Sequence, residues 1–159
     1  MSVEEVIENI KHYNCNNICF TGGEPSLQID EIYEIINILN LFNKEYTFEI
    51  ETNGTNDFDI GAFNTVNVSP KIGFINYNLL EKWSLKTNIY FKFVIDNDNE
   101  LETYLALINH IKPYKNNVIF MPKGTDINTI NEVSKWLVKH CLDNNIRFST
   151  RLHILLGLL

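Results

Sequence analysis

At 159 residues with 45% hydrophobic side chains, the chain is long enough for one core and too short for two, so residues 1–159 are expected to form a single domain. The formal charge of −7, from 20 acidic against 13 basic residues with no Lys/Arg-rich run, disfavours a nucleic-acid surface. Cys15, Cys19 and Cys141 make no disulfide framework, Glu4, Glu5 and Glu8 stand where a leader would be basic, and no apolar run reaches about 18 residues, so a reducing cytoplasm is expected and secretion or membrane insertion is not.

Residues 2–13 open as a helix: Ser2 and Glu5 have capping-box spacing, and Val3, Val6, Ile7 and Ile10 repeat at helical intervals. Residues 17–21 form a short apolar run stopped by Gly22-Gly23, read as a buried strand entering a sharp loop. Ile32, Ile35, Ile36 and Leu39 stripe the next helix, and residues 46–52 the next strand, closed by Asn53-Gly54. Further strands are predicted at 65–69, ending at Pro70, and at 88–95. Leu101, Tyr104, Leu105 and Ile108 then mark a helical face. A strand at 117–121 precedes Pro122-Lys123-Gly124. Ile127, Ile130, Val133, Leu137 and Cys141 stripe another helix, and residues 147–156 return as a last strand.

Strands alternating with helices predict an α/β fold with parallel strands and right-handed crossovers. About six strands behind an entry helix fit a partial (β/α) barrel lacking its first strand. In such a fold the loops after the strands emerge at one end, where ligands bind. Those loops here are Thr21-Gly22-Gly23-Glu24-Pro25-Ser26, Glu51-Thr52-Asn53-Gly54-Thr55, Ser69-Pro70-Lys71 and Met121-Pro122-Lys123-Gly124.

The glycine pair lets backbone N–H groups approach a ligand and Glu24 offers a carboxylate to an ammonium, although the same residues also make an ordinary tight turn with a solvated Glu. Glu49 and Glu51 alternate with Phe48 and Ile50, and Lys92 lies between Phe91 and Phe93. Period two puts these charges on one face, either toward a ligand in a polar barrel mouth or on an edge or paired with one another. Arg151 and His153 are expected to share a face of the last strand, where Arg suits a carboxylate and His a proton, or where His is a satisfied core residue. Cys15 and Cys19 lack the further thiolates of a cluster site, so Cys19 is expected to be a buried small hydrophobe. His12, His110 and His140 fall on predicted helices without carboxylates at metal spacing, and no metal ligand is assigned.

Phe20-Thr21-Gly22-Gly23-Glu24-Pro25 after an apolar strand resembles the glycine-rich motif of the radical S-adenosylmethionine enzymes. Glu51-Thr52-Asn53-Gly54-Thr55, Ser69-Pro70-Lys71, Phe91-Lys92-Phe93-Val94, Met121-Pro122 and Arg151-Leu152-His153 follow in the order seen in the 7-carboxy-7-deazaguanine synthase family, over nearly the whole chain. The resemblance implies a partial barrel and a lyase. In that family a reduced [4Fe-4S] cluster cleaves S-adenosylmethionine to a 5′-deoxyadenosyl radical. With magnesium assisting, 6-carboxy-5,6,7,8-tetrahydropterin becomes 7-carboxy-7-deazaguanine with loss of ammonia, on the way to the queuosine or archaeosine of tRNA. A homodimer is the family's usual state.

Carried over by motif, Gly22, Gly23 and Glu24 meet the methionine end of the cofactor, with Glu24 at its amino group, and Thr21 touches the pterin. Ser69, Pro70 and Lys71 line the cofactor, as do Met121, Pro122, Lys123 and Gly124 near its adenosyl part. Glu51 and Asn53 are further cofactor candidates, and Arg151 and His153 are placed in the substrate pocket by position. No catalytic residue is assigned.

Two departures stand beside these matches. The family's cluster cysteines and magnesium ligand lie upstream of the helix that begins here at Ser2, and its polar tail is replaced by Leu155-Leu156-Gly157-Leu158-Leu159. The expectation is therefore a chain clipped at both ends, with activity belonging to a longer form. Two other readings are a degenerate, cluster-free protein that binds S-adenosylmethionine or a pterin, and a radical activating enzyme of the same superfamily.

Overall fold

Six parallel strands lie side by side in chain order: β1 (Asn17–Phe20), β2 (Thr47–Thr52), β3 (Thr65–Val68), β4 (Ile89–Ile95), β5 (Val118–Pro122) and β6 (Arg147–Phe148). The computed structural model describes residues 1–42 and 45–158; Leu159, the last residue of the predicted apolar tail, lies outside them. Strands that add in sequence with right-handed crossovers send every connecting helix to the same side. The result is an open arc of sheet with one face under helices and one face free, as the expected partial barrel requires.

The alternation in the strands decides which side chain meets which face. Phe48 and Ile50 of β2, Val66 and Val68 of β3, Phe91, Phe93 and Ile95 of β4, and Val118 and Phe120 of β5 are all buried under the helices. Their neighbours Glu49, Glu51, Asn67, Tyr90, Lys92, Val94 and Met121 are only half-buried, on the opposite face. The strands are in register as neighbours, with Thr52 beside Val68, Val68 beside Phe91 and Phe93 beside Phe120. One continuous apolar layer follows.

The helices form where their signals stand. In α1 (Val3–His12) the Ser2 hydroxyl accepts from the Glu5 N–H at 3.3 Å and the Glu5 carboxylate accepts from the Ser2 N–H at 2.8 Å, the reciprocal cap. The stripe of α2 (Ile29–Asn40) buries Ile32, Ile35, Ile36 and Leu39. Next come α3 (Tyr77–Ser84), α4 (Asp98–Ile111) and α5 (Ile127–Asn144). The α3 segment is an addition to the sequence reading. Asn76 caps it by accepting from the Leu79 N–H, and Leu79, Leu80 and Trp83 seal it onto the sheet.

Three expectations need correction. The last strand ends at Phe148, and Arg151 instead caps the short α6 (Leu152–Leu155), so Arg151 and His153 share no strand face. On the β6 side the ladder runs into Pro122, the last residue of β5, which has no N–H to donate. Cys19 is exposed because β1 is an edge of this sheet, so its alternation leaves one side open. Ile127, at the first turn of α5, is also exposed, while Ile130, Val133, Leu137 and Cys141 from the same stripe are buried.

Candidate functional site

At the C-terminal ends of the strands the loops enclose an open cavity of about 790 Å³, within the size range of small-ligand sites. Its walls include Thr21, Gly22, Gly23 and Glu24 after β1, Glu51, Thr52 and Asn53 at the end of β2, and Ser69 and Lys71 after β3. Met121 at the end of β5, with Arg151 and His153, completes the far side. Residues more than a hundred positions apart thus face one space. Parallel strands that all end on one side bring them there.

Gly22 and Gly23 have φ of +88° and +53°, and a Cβ added at either would meet nothing within 4 Å. These two residues need glycine for the backbone turn and leave the volume beside it open. Immediately after them, Glu24 bends back into the protein. One of its oxygens accepts from the Thr52 hydroxyl at 2.6 Å, the Ser26 hydroxyl at 2.7 Å and the Ser26 N–H at 3.2 Å, and the other from the Asn53 N–H at 2.7 Å.

Loss of hydration pushes the Glu24 carboxyl up, but these bonds from Thr52, Asn53 and Ser26 outweigh it and hold the group below the usual carboxylate range. A folded pKa below the unfolded value, about 4.3 for Glu, stabilises the fold above that pH, and the gain disappears as pH falls through the folded pKa. Acid unfolding followed by circular dichroism is therefore expected to steepen below about pH 4. The Glu24→Gln curve should be flatter there; parallel curves for the two proteins would count against this role.

The inner face of the sheet carries the charge. Lys92 reaches over β3 to Glu51 at 2.5 Å, so of the three charges Glu49, Glu51 and Lys92 the last two pair with each other while lining the cavity, and Glu49 lies outside its wall. Lys71 stands nearby. Loss of hydration first, then Lys92 and Arg151, lower its ammonium from the ordinary lysine range, against the opposing pull of Glu51 and Glu24. A group of cations that repel one another is a ready site for an added anion. Arg151 also donates to the Gly124 carbonyl at 2.6 Å, which ties the segment after β6 to the loop after β5.

Four expected cofactor contacts lie elsewhere. Pro70 and Pro122 are buried, with the Pro70 carbonyl accepting from the Tyr104 hydroxyl at 3.1 Å. Lys123 turns outward to Asp96 and Glu100, at 3.4 and 3.6 Å, and Gly124 contributes its carbonyl to Arg151. Conversely, Cys19, Thr52, Lys92, Val94 and Thr150 line the cavity without having been assigned to it. For Lys92 and Val94 the period-two pattern was the available signal; for Thr52 it was its place in the loop Glu51-Thr52-Asn53-Gly54-Thr55, whereas its bond to the distant Glu24 had none.

The cysteines are dispersed. Cys15 and Cys19 are exposed near β1, whereas Cys141 is buried on α5, where burial pushes its thiol up to about 11. The Cys19 thiol is also raised, by burial first and then by Glu51 and Glu49. Among the described residues no group of three or more His, Cys, Asp or Glu side chains is placed to hold a metal ion. A separate hollow of about 500 Å³ around Asp57, Lys82 and Trp83 contains the Lys82–Asp57 ion pair and none of the strand-end loops.

The profile of the radical SAM superfamily matches residues 1–137. The chain is 32% identical to the 7-carboxy-7-deazaguanine synthase of Methanospirillum hungatei over 99% of its own length and 66% of that protein's. It is 30% identical to the protein of the same name from Buchnera aphidicola, covering 96% of this chain and 66% of the relative. Among solved structures, QueE from Escherichia coli matches with a TM-score of 0.69 at 20% identity, over 95% of this chain and 64% of that one, a likeness of fold. The chain spans slightly less than two thirds of the curated relatives it matches.

Proposed function

This chain belongs to the radical SAM superfamily, and from that premise we propose that it is the S-adenosylmethionine-binding body of a 7-carboxy-7-deazaguanine synthase. In its full-length form the protein converts 6-carboxy-5,6,7,8-tetrahydropterin to 7-carboxy-7-deazaguanine with loss of ammonia. The observation that carries this reading is the convergence of the strand-end loops from β1, β2, β3 and β5 on one cavity. Homologues bearing that enzyme's name, aligned over almost all of this chain, supply the choice of reaction.

The residues present suit S-adenosylmethionine. The space beside Gly22 and Gly23 admits a ligand against the backbone, Lys71 offers charge to a carboxylate, and Glu51 with Asn53 provides polar wall for a ribose or amino group. Thr21, Arg151 and His153 remain for the pterin. The same residues do not suit an iron–sulfur cluster, because Cys141 is buried on α5 away from the exposed Cys15 and Cys19, and among the described residues no three such ligands gather. Cluster ligation, with the magnesium site, is assigned to the longer form. The homodimer and the cytoplasmic setting belong to the same proposal; among the described residues no helix is long and apolar enough to cross a membrane.

Isothermal titration of the purified chain with S-adenosylmethionine tests the site. A saturable one-to-one heat is expected, and Lys71→Ala should weaken it about tenfold through loss of one charged hydrogen-bonding partner. Absence of binding, or a Lys71→Ala protein that binds as well as its parent, overturns the assignment. For the reaction, product analysis of the longer form should find 7-carboxy-7-deazaguanine, and a glycyl radical on a protein partner would replace this substrate with another.

A further inference from the structure

We propose that Arg151 is a positioning residue: its guanidinium latches the segment after β6 to the loop after β5 and so seats His153 in the wall of the cavity. This rests on the reading of that cavity as the place where cofactor and pterin meet. The Arg151 Nη1 donates to the Gly124 carbonyl at 2.6 Å, a short bond from a charged donor. Thr150, Arg151 and His153 all line the cavity, and the short helix α6 starts between the last two, at Leu152.

Little else holds that segment. Its last backbone bond to the sheet runs from the Ser149 N–H to the Phe120 carbonyl at 2.9 Å. Among the described residues, Arg151 makes the one hydrogen bond from residues 150–158 to a residue before Ser149. The others close within the segment: the Ile154 and Leu155 N–H groups donate to the Arg151 carbonyl at 3.0 and 3.2 Å, and the Leu156 N–H to the Leu152 carbonyl at 2.9 Å. No residue of α6 is fully buried, and where Ile146 and Phe148 pack on the core, Leu152, Ile154 and Leu155 do not. A helix of four residues does not stand by itself in water, so its place depends on the latch.

The anchor, by contrast, is fixed on both sides of Gly124. The Lys123 N–H donates to the Ile95 carbonyl at 2.9 Å, and Asp126 caps α5 by accepting from the Asn128 and Thr129 N–H groups, both at 3.0 Å. The same carbonyl answers a problem of charge. Loss of hydration first, then Lys92 and Arg151, lower the Lys71 ammonium, so Arg151 stands among cations, and the negative end of the Gly124 carbonyl offsets part of that repulsion. One bond to one carbonyl makes no use of the planar fork of arginine, so lysine can take its place here as it could not at a bidentate pair.

Hydrogen exchange at the Leu155 and Leu156 amides of the ligand-free chain tests the latch in the parent, Arg151→Met and Arg151→Lys. Arg151→Met keeps an apolar stem and removes the donors, and exchange should quicken about tenfold. Arg151→Lys should stay near the parent, and the urea midpoint of both variants should not move, because α6 lies outside the core. Equal protection in the parent and Arg151→Met, or amides already unprotected in the parent, overturns the proposal, as does a lowered midpoint in Arg151→Met, which would mean general loosening. Titration calorimetry with 6-carboxypterin and pterin, which differ only in the carboxylate, separates positioning from direct contact. Both should weaken about tenfold together in Arg151→Met; a loss confined to 6-carboxypterin overturns the proposal and makes Arg151 the carboxylate's ligand. If neither binds the parent, the reading of the cavity fails by itself, and the exchange result still decides the latch.

Discussion

Phe93→Ala is expected to destabilise the fold by about 3–5 kcal/mol, the range for truncating a buried aromatic. Phe93 is fully buried in the middle of β4. Its ring lies 4.8 Å from that of Tyr104 on α4, 6.1 Å from Phe120 on β5 and 6.4 Å from Phe91. The cavity left behind cannot collapse easily, because β4 is hydrogen-bonded on both sides, to β3 and to β5. Against a total of about 5–15 kcal/mol for a domain, the loss is a large fraction.

The effect should carry into the site. Lys92 and Val94, the neighbours of Phe93 in the chain, point to the opposite face and line the cavity, so loosening the core face of β4 disturbs Lys92 and its pairing with Glu51. Urea unfolding gives the stability change from the midpoint at constant slope. A loss below about 1 kcal/mol would mean that the aromatic layer is not packed as described.

The second large effect is expected at Gly54, where Gly54→Ala combines two penalties. With φ at +73°, alanine incurs about 1–2 kcal/mol for the left-handed backbone. Its Cβ would also stand 2.8 Å from both the Leu80 Cδ2 and the Val68 Cγ1, and overpacking of this kind costs about 1–3 kcal/mol. Both neighbours are buried and neither is the free end of a surface chain. Gly73→Ala is the control: φ is +93° there too, but a Cβ meets nothing within 4 Å, so only the backbone part should appear. Equal losses for the two variants would remove the packing argument. Because Gly54 follows Asn53 and donates to Thr52, its substitution should also weaken cofactor binding.

Much of this protein is determined locally. Alternation in Thr47–Thr52 and Ile89–Ile95 separates a core face from a polar face before any partner is known, because successive strand side chains must point opposite ways. The stripe Ile32, Ile35, Ile36 and Leu39 and the Ser2–Glu5 cap depend on neighbours within a turn or two, and both form as read. Motif order was enough to nominate most of the cavity wall, since parallel strands leave their loops at one end.

What tertiary structure decided are the features with partners far along the chain or none in it. Whether an apolar strand lies in the middle or at an edge depends on which strands stand beside it, so Cys19 could be taken for a core residue and is exposed on β1. The last strand ends as its ladder nears Pro122 at the end of β5, which nothing within residues 147–156 announces. For Glu24 the residue type and position were plain from the sequence, yet its occupation by Thr52 and Asn53 spans 28 and 29 positions. Hydrogen bonds of that reach arise only once the strands have brought two loops together, and local pattern contains no trace of them.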